Sequence, residues 1–342
     1  ERARQQILDS VGAPKANLLF TSSGTEALNL ALRGLVQAAA EKGERFTRLV
    51  VSAIEHDCVL QTARALEAET PGLRLTLVKP NALGVVEPDT LRLALMEGKG
   101  RALVAIMLAN NETGVINPIP KLAKIAREHA ALFVCDAIQA WGRIPVDANV
   151  LNVDALALSA HKTGGPKGAA ALIVKEGVLL TPQLRGGGQE LGLRAGTHNV
   201  AAIAGFGAAA LASSSVWTGL TETRDALERD LLSAASQAII YGQTAPRLPN
   251  TSCIGLPGLS AETSVIALDM DGVAVSAGAA CSSGKVKPSH VLTAMGATPE
   301  QAAAAIRISF GPSTAPEDIT RLLNAWSALV RRAQAASGRP AA

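Results

Sequence analysis

Leu18-Leu19-Phe20-Thr21-Ser22-Ser23-Gly24-Thr25-Glu26-Ala27-Leu28 passes from a short apolar run, through a small polar turn, into an alanine- and leucine-rich helix. A strand that hands the chain to a helix in this way suits an anion. The helix start offers unpaired N–H groups and the positive end of the dipole, Gly24 lets an anion approach, and the Thr25 hydroxyl adds a donor. The turn lacks the G-K-[ST] ending of a nucleotide loop. The alternative that stays open is that Ser22, Ser23 or Thr25 simply caps the helix.

Outward from this stretch the pattern repeats. Short apolar runs at Leu18–Phe20, Leu49–Val51, Leu75–Val78, Leu103–Leu108, Leu132–Val134 and Ala155–Leu158 alternate with longer helical patterns as far as about Val174. This predicts an α/β domain with a mainly parallel sheet covered on both faces, and such sheets place ligands at the carboxyl ends of their strands. A Gly-rich stretch, Arg185 to Gly196, leads into an apolar helix over Val200–Leu211. After Ser213-Ser214-Ser215 the texture changes to a charged helix near Thr221–Leu232, which puts a domain boundary at 215/216. Residues 1–215 are then the large domain and 216–342 a smaller α+β domain. Its expected strands are Ile239–Tyr241, Val273–Val275 and Ile306–Phe310.

A chain of 342 residues with 48% hydrophobic and 18% charged residues can bury such cores and is not disordered. The net charge of +3, carried on scattered lysines and arginines, gives no nucleic-acid patch, so a small-molecule partner is expected. The longest apolar run, Val200–Ala212, is too short to span a bilayer. Cys58, Cys135, Cys253 and Cys281 lie far apart without a C-x-x-C pair, which fits reduced thiols in the cytoplasm better than a disulfide frame or a zinc site. The first residues read as the middle of an amphipathic helix, so further chain is expected ahead of Glu1.

Two more strand ends carry chemistry. Asp136 closes the buried-looking run Leu132–Cys135, and a carboxylate there needs a cationic partner, solvent or a proton; a helix cap or an ion pair would also serve. Ala155–Leu158 leads into Ser159-Ala160-His161-Lys162-Thr163-Gly164-Gly165, a lysine carried from a strand into a glycine turn, where an ammonium near a cation loses charge more readily and can form a Schiff base. A solvent-exposed lysine is the plain alternative.

Phosphate turn, strand-end Asp and S-x-H-K lysine, in that order, resemble the fold-type I pyridoxal-phosphate enzymes. The resemblance implies pyridoxal 5'-phosphate as cofactor. Gly24 and Thr25 would hold its phosphate with Ser159 and His161, Asp136 its ring nitrogen, Asn111 and Gln139 its phenolic oxygen side, and Lys162 its aldehyde. His56, in Ile54-Glu55-His56, would stack on the ring and move protons, although a lone histidine can equally be structural. Leu193-Arg194-Ala195-Gly196-Thr197 matches a turn whose threonine, here Thr197, reaches the phosphate of a neighbouring subunit, which implies a homodimer. A plain glycine-rich connection is the alternative.

The stretch Ser276-Ala277-Gly278-Ala279-Ala280-Cys281-Ser282-Ser283-Gly284-Lys285 sets one thiol among small residues, with Lys285, Lys287 and His290 nearby to favour the thiolate. It is closely similar to the active-site loop of group I cysteine desulfurases, the NifS and IscS-like type of the class V aminotransferase family. That resemblance implies a desulfurase in which Cys281 takes sulfur from L-cysteine and passes it to an iron–sulfur scaffold or another acceptor protein. Arg307, in the apolar run Ala305–Phe310, would grip the substrate carboxylate with two parallel bonds, with Asn111 beside the substrate; snorkelling to water is the alternative. The resemblance runs from Ser22 to about Asp318. One departure is that the family's opening Asn-Asn-Ala-Thr-like stretch is not found here. A selenocysteine lyase or another class V enzyme is the runner-up, and a non-catalytic scaffold subunit stands behind it.

Overall fold

The six apolar runs between Leu18 and Leu158 all contain strands, and Ala170–Val174, which the alternation did not single out, joins them. The computed structural model describes residues 1–212, 217, 219–278 and 288–336. They form two units, one built on 1–79, 86–109 and 117–216, the other on 80–85, 110–116 and 217–342.

The first unit runs α1 (Arg2–Ser10), β1 (Asn17–Thr21), α2 (Gly24–Glu41), β2 (Phe46–Ser52), α3 (Asp57–Glu69), β3 (Arg74–Val78), α4 (Pro88–Met96), β4 (Arg101–Ala105), α5 (Ile119–Glu128), β5 (Leu132–Asp136), α6 (Ala148–Leu151), β6 (Ala155–Ser159), β7 (Ala170–Val174) and α7 (Val200–Ala212). Its seven strands lie in the order β1-β7-β6-β5-β4-β2-β3. Six point the same way, and β7 runs antiparallel between β1 and β6. Neighbouring residues such as Leu103 and Val104, or Leu172 and Ile173, are all buried, so both faces of the sheet are covered. One face packs on α2 and α3 through Leu28, Leu32, Leu35, Leu60 and Leu66. Elsewhere α1 lies on α7: a side chain at Gly207 would meet the Ala3 backbone at 2.7 Å, so only glycine allows that approach.

The second unit holds α8 (Leu220–Ala234), β8 (Ile239–Ile240), β9 (Thr251–Gly255), α9 (Ala261–Met270), β10 (Ser276–Ala277), α10 (His290–Ala294), α11 (Pro299–Ala304), β11 (Ala305–Ser309) and α12 (Pro316–Ala336). Its antiparallel sheet has the order β10-β11-β9-β8. The expected strand at Val273–Val275 is displaced: Val273 and Val275 pack against the core, and the pairing begins at Ser276, opposite Arg307. Strand β9 escapes the hydrophobic pattern because Thr251, Ser252 and Gly255 interrupt it, yet every residue in it is buried.

Helix α8 is pinned to this sheet by an ion pair. Arg247 Nη1 and Nη2 donate to Glu228 Oε1 and Oε2 at 2.6 and 2.7 Å, and the Ser252 hydroxyl donates to the same carboxylate at 2.7 Å. Both charged side chains are buried. Removing one partner strands the other in low dielectric, so Glu228→Ala is expected to destabilise the second unit by about 3–5 kcal/mol. Urea unfolding followed by the fluorescence of buried Trp326 reads that loss.

Candidate active site

Register explains why distant turns meet. Thr21 and Ser159 each stand opposite Ala170 of β7, so β1 and β6 end at one level of the sheet, while Asp136 stands opposite Ala157. The chain leaves β1 into α2, and Ser23 caps that helix by accepting from Glu26 N–H at 3.1 Å. The capping alternative therefore holds at Ser23. It occupies one of the first N–H groups, and those of Gly24 and Thr25 belong to the same open turn. A Cβ on Gly24 would lie 2.1 Å from Ile138 Cδ1, so the helix start sits against the side chain of Ile138, two residues after Asp136.

Asp136 is buried, and its Oδ1 accepts from Ile138 N–H at 2.8 Å. Burial pushes its carboxyl up to about 6, against the pull of the Ile138 N–H and the positive charge of Lys162. Glu55 lies nearby, fully buried, and accepts from Met107 N–H at 2.6 Å. Burial, then the charge of Asp136, hold Glu55 well above the carboxylate range. Of this pair Glu55 keeps the proton and Asp136 is the group that ionises.

His56 is the N-cap residue of α3, and its Nδ1 accepts from Cys58 N–H at 3.1 Å. Lys162 ends a short 3-10 turn after β6. Arg143 braces that turn: Nη2 donates to the Lys162 carbonyl at 2.8 Å and Nη1 to the Gln139 carbonyl at 2.7 Å and to its side-chain oxygen. Ser159 Oγ and His161 Nδ1 are 2.9 Å apart. Burial, then the charges of Lys162, Lys167 and Arg143, lower the pKa of His161 and favour its neutral form.

Thr197 is exposed, in a segment tied to the anion turn through Arg194, whose Nε donates to Glu26 Oε1 at 2.7 Å. Glu26 also accepts from Ser22 N–H at 2.8 Å. Burial raises Glu26, but the bonds from Arg194 and Ser22 outweigh it and hold it below the usual carboxylate range. A second tie is Glu190, buried with a left-handed backbone at φ 47°, which accepts from Phe20 N–H, Arg4 and His198.

In the second unit Arg307 Nη1 donates to the Asn111 carbonyl at 2.8 Å. Among the described residues no carboxylate closes on this arginine, and both its Nε and Asn111 Oδ1 are buried without a hydrogen-bond partner. Cys281 lies outside the described residues. A groove of about 760 Å³ at the opposite end of β6, lined by Lys15, Asn152, Leu156 and Lys175 among others, contains none of the predicted site residues.

The family model for "Aminotransferase class-V" matches residues 1–322. A cysteine desulfurase IscS of Dictyoglomus turgidum is 39% identical over 336 residues, covering 97% of this chain and 84% of that protein. One from Methanosarcina thermophila is 37% identical over 96% of this chain and 81% of its own length. The crystal structure of a NifS-like protein from Rickettsia africae superposes with a TM-score of 0.83 at 32% identity, covering 96% and 87% of the two chains. The chain belongs to the cysteine desulfurases of the class-V aminotransferase family. Its fold is accordingly fold type I, and it is an enzyme of a pyridoxal-phosphate family.

The first unit fits that cofactor on its own geometry. The start of an eighteen-residue helix faces the turn at these strand ends, and Asp136 is a buried carboxylate with Lys162 as its cationic neighbour. No sequence motif of this desulfurase assigns a site role to Arg143, Glu26, Glu55 or Cys58. Arg143 and Glu26 resemble ordinary surface charges, and only the fold reveals what they brace. Because Asp136 ionises at about 6 in the folded chain against 3.8 ordinarily, its ionisation lowers stability as pH rises through that window. Asp136→Asn is therefore expected to stabilise the cofactor-free protein at pH 8 by up to about 3 kcal/mol, read as a raised melting temperature, with the difference vanishing below about pH 4.

Proposed function

We propose that this chain removes sulfur from L-cysteine with pyridoxal 5'-phosphate held on Lys162, leaving L-alanine and a persulfide on Cys281. The observation that carries this reading is the buried Asp136 beside Lys162, at the strand ends where the Gly24–Thr25 helix start also lies. When bound, the cofactor supplies a carbonyl for Lys162 and a ring that accepts electron density from the substrate's α-carbon.

The chain's own residues do the rest. Ionised Asp136 keeps a ring nitrogen protonated, and Gly24, Thr25, Ser159 and His161 hold the phosphate, the last as a neutral imidazole. Gln139 and Asn111 address the phenolic oxygen, and Asn111 also adjoins the substrate. Arg307, half-buried and without a carboxylate of its own among the described residues, takes the substrate carboxylate. Lys162 moves the α-proton, and His56 stacks over the ring. The Cys281 thiolate attacks the substrate sulfur, the carbon–sulfur bond breaks, and protonation of the carbon gives alanine. One thiol and one cysteine thus become one persulfide and one alanine, with no outside oxidant.

The persulfide goes to an acceptor protein, for which an iron–sulfur scaffold is the leading type. Thr197 completes the phosphate site of a second copy in a homodimer. Its segment supports this, because Leu184, Leu191 and Val200 around it are exposed apolar side chains. We place the enzyme in a reducing compartment, the cytoplasm, on the free thiols of Cys58, Cys135 and Cys253. Among the described residues no helix is long and apolar enough to cross a membrane.

Sulfide release from L-cysteine, with a reductant and added cofactor, tests the reading. Cys281→Ala is expected to keep its cofactor and lose release on the order of 100-fold or more. Equal release by both proteins would favour a lyase that does not use Cys281.

A further inference from the structure

Cys58 stands in the first turn of α3, and no role above uses it. Its sulfur lies 3.1 Å from His56 Nδ1, the nitrogen that already accepts from the Cys58 N–H at 3.1 Å. The Thr25 hydroxyl, at the start of α2, is hydrogen-bonded to the same sulfur. Thiol and amide of one residue thus converge on one ring nitrogen, and the thiol also touches the helix start that receives the phosphate. Burial, then the charge of Asp136, push this thiol up to about 12, which keeps it an S–H donor across the working range and makes it a poor nucleophile.

We propose that Cys58 is a positioning residue: its S–H and N–H hold His56 as the Nε2–H tautomer and tie that ring to the Thr25 turn. A neutral imidazole has one donor and one acceptor nitrogen. With Nδ1 accepting, the proton resides on Nε2, and a second proton could enter only at Nδ1 by displacing both donors. The ring is therefore held neutral and meets its ligand as a donor at Nε2. The ionisable groups that act on the thiol are Asp136 from the end of β5 and Glu55 from the turn before α3, of which Asp136 carries the charge. That negative charge favours a second proton on the imidazole, and the thiol opposes it.

The inference rests on the proposed role of His56 but is tested without turnover. Imidazole ¹⁵N NMR of the histidine-labelled holoenzyme, with His56 assigned by its loss in His56→Asn, reports directly which nitrogen carries the proton. The parent is expected to show unprotonated Nδ1 and protonated Nε2. Cys58→Ala keeps the amide and removes only the thiol, and should raise the His56 titration midpoint by about 0.5–1 pH unit; Cys58→Ser, which restores a donor, should reverse most of that shift. A proton on Nδ1 in the parent overturns the proposal, as does a Cys58→Ala titration identical to the parent's. The first of these results overturns the proposal even where the alanine variant folds poorly, and Cys58→Ser then supplies the comparison for the thiol. Sulfide release from the same parent sample separates the two questions: an Nε2–H ring with no release defeats the desulfurase reading and leaves the Cys58 role standing.

Discussion

A carboxylate at the end of a buried strand is expensive to ionise, and the arrangement of the first unit follows from how Asp136 meets that cost. It is buried, a backbone N–H supports one of its oxygens, and Lys162 contributes charge from the neighbouring strand end. Such a group remains poised between protonated and ionised forms until a cation arrives. Glu55, which keeps its proton, spares the site a second negative charge. A site of this kind is matched to a ring that brings its own positive charge, and poorly matched to an anion.

The rest of the first unit serves to bring other groups to that carboxylate. Antiparallel β7 sets Thr21 and Ser159 at one level, so the helix start and the lysine turn open together. Gly24 opens α2 against the Ile138 side chain, and Arg143 and Glu26 fix the two flanking segments. These braces are hydrogen bonds from charged side chains to backbone or to each other, partly withdrawn from solvent, which makes them stronger than exposed pairs.

The parallel sheet and the three strand-end residues were legible because each leaves a local trace: an apolar run, then a polar residue where the strand stops. Strand β7 was not singled out, since Ala170–Val174 follows a glycine-rich turn and only a short 3-10 turn, no α-helix, separates it from β6. Strand β9 was hidden by polar residues that the second unit buries through tertiary bonds, as Ser252 does with Glu228. The misplaced strand at Val273–Val275 shows the converse, apolar residues that pack without pairing. Within the site, the family order of motifs named the groups that would touch a ligand. Arg143 and Glu26, which act through another residue, were invisible because Lys162 and Arg194 lie at sequence distances that no periodicity encodes, and Cys58 was invisible because a thiol two residues from a histidine leaves no pattern that marks the contact.

The central claim is that the chain closes its cofactor site on Lys162, and reductive trapping tests it most directly. Full-length protein loaded with pyridoxal phosphate, reduced with borohydride, digested and mapped by mass spectrometry should carry the phosphopyridoxyl group on the peptide containing Lys162, and Lys162→Ala should carry none. A modification spread over surface lysines, with Lys162 unlabelled, would contradict the account.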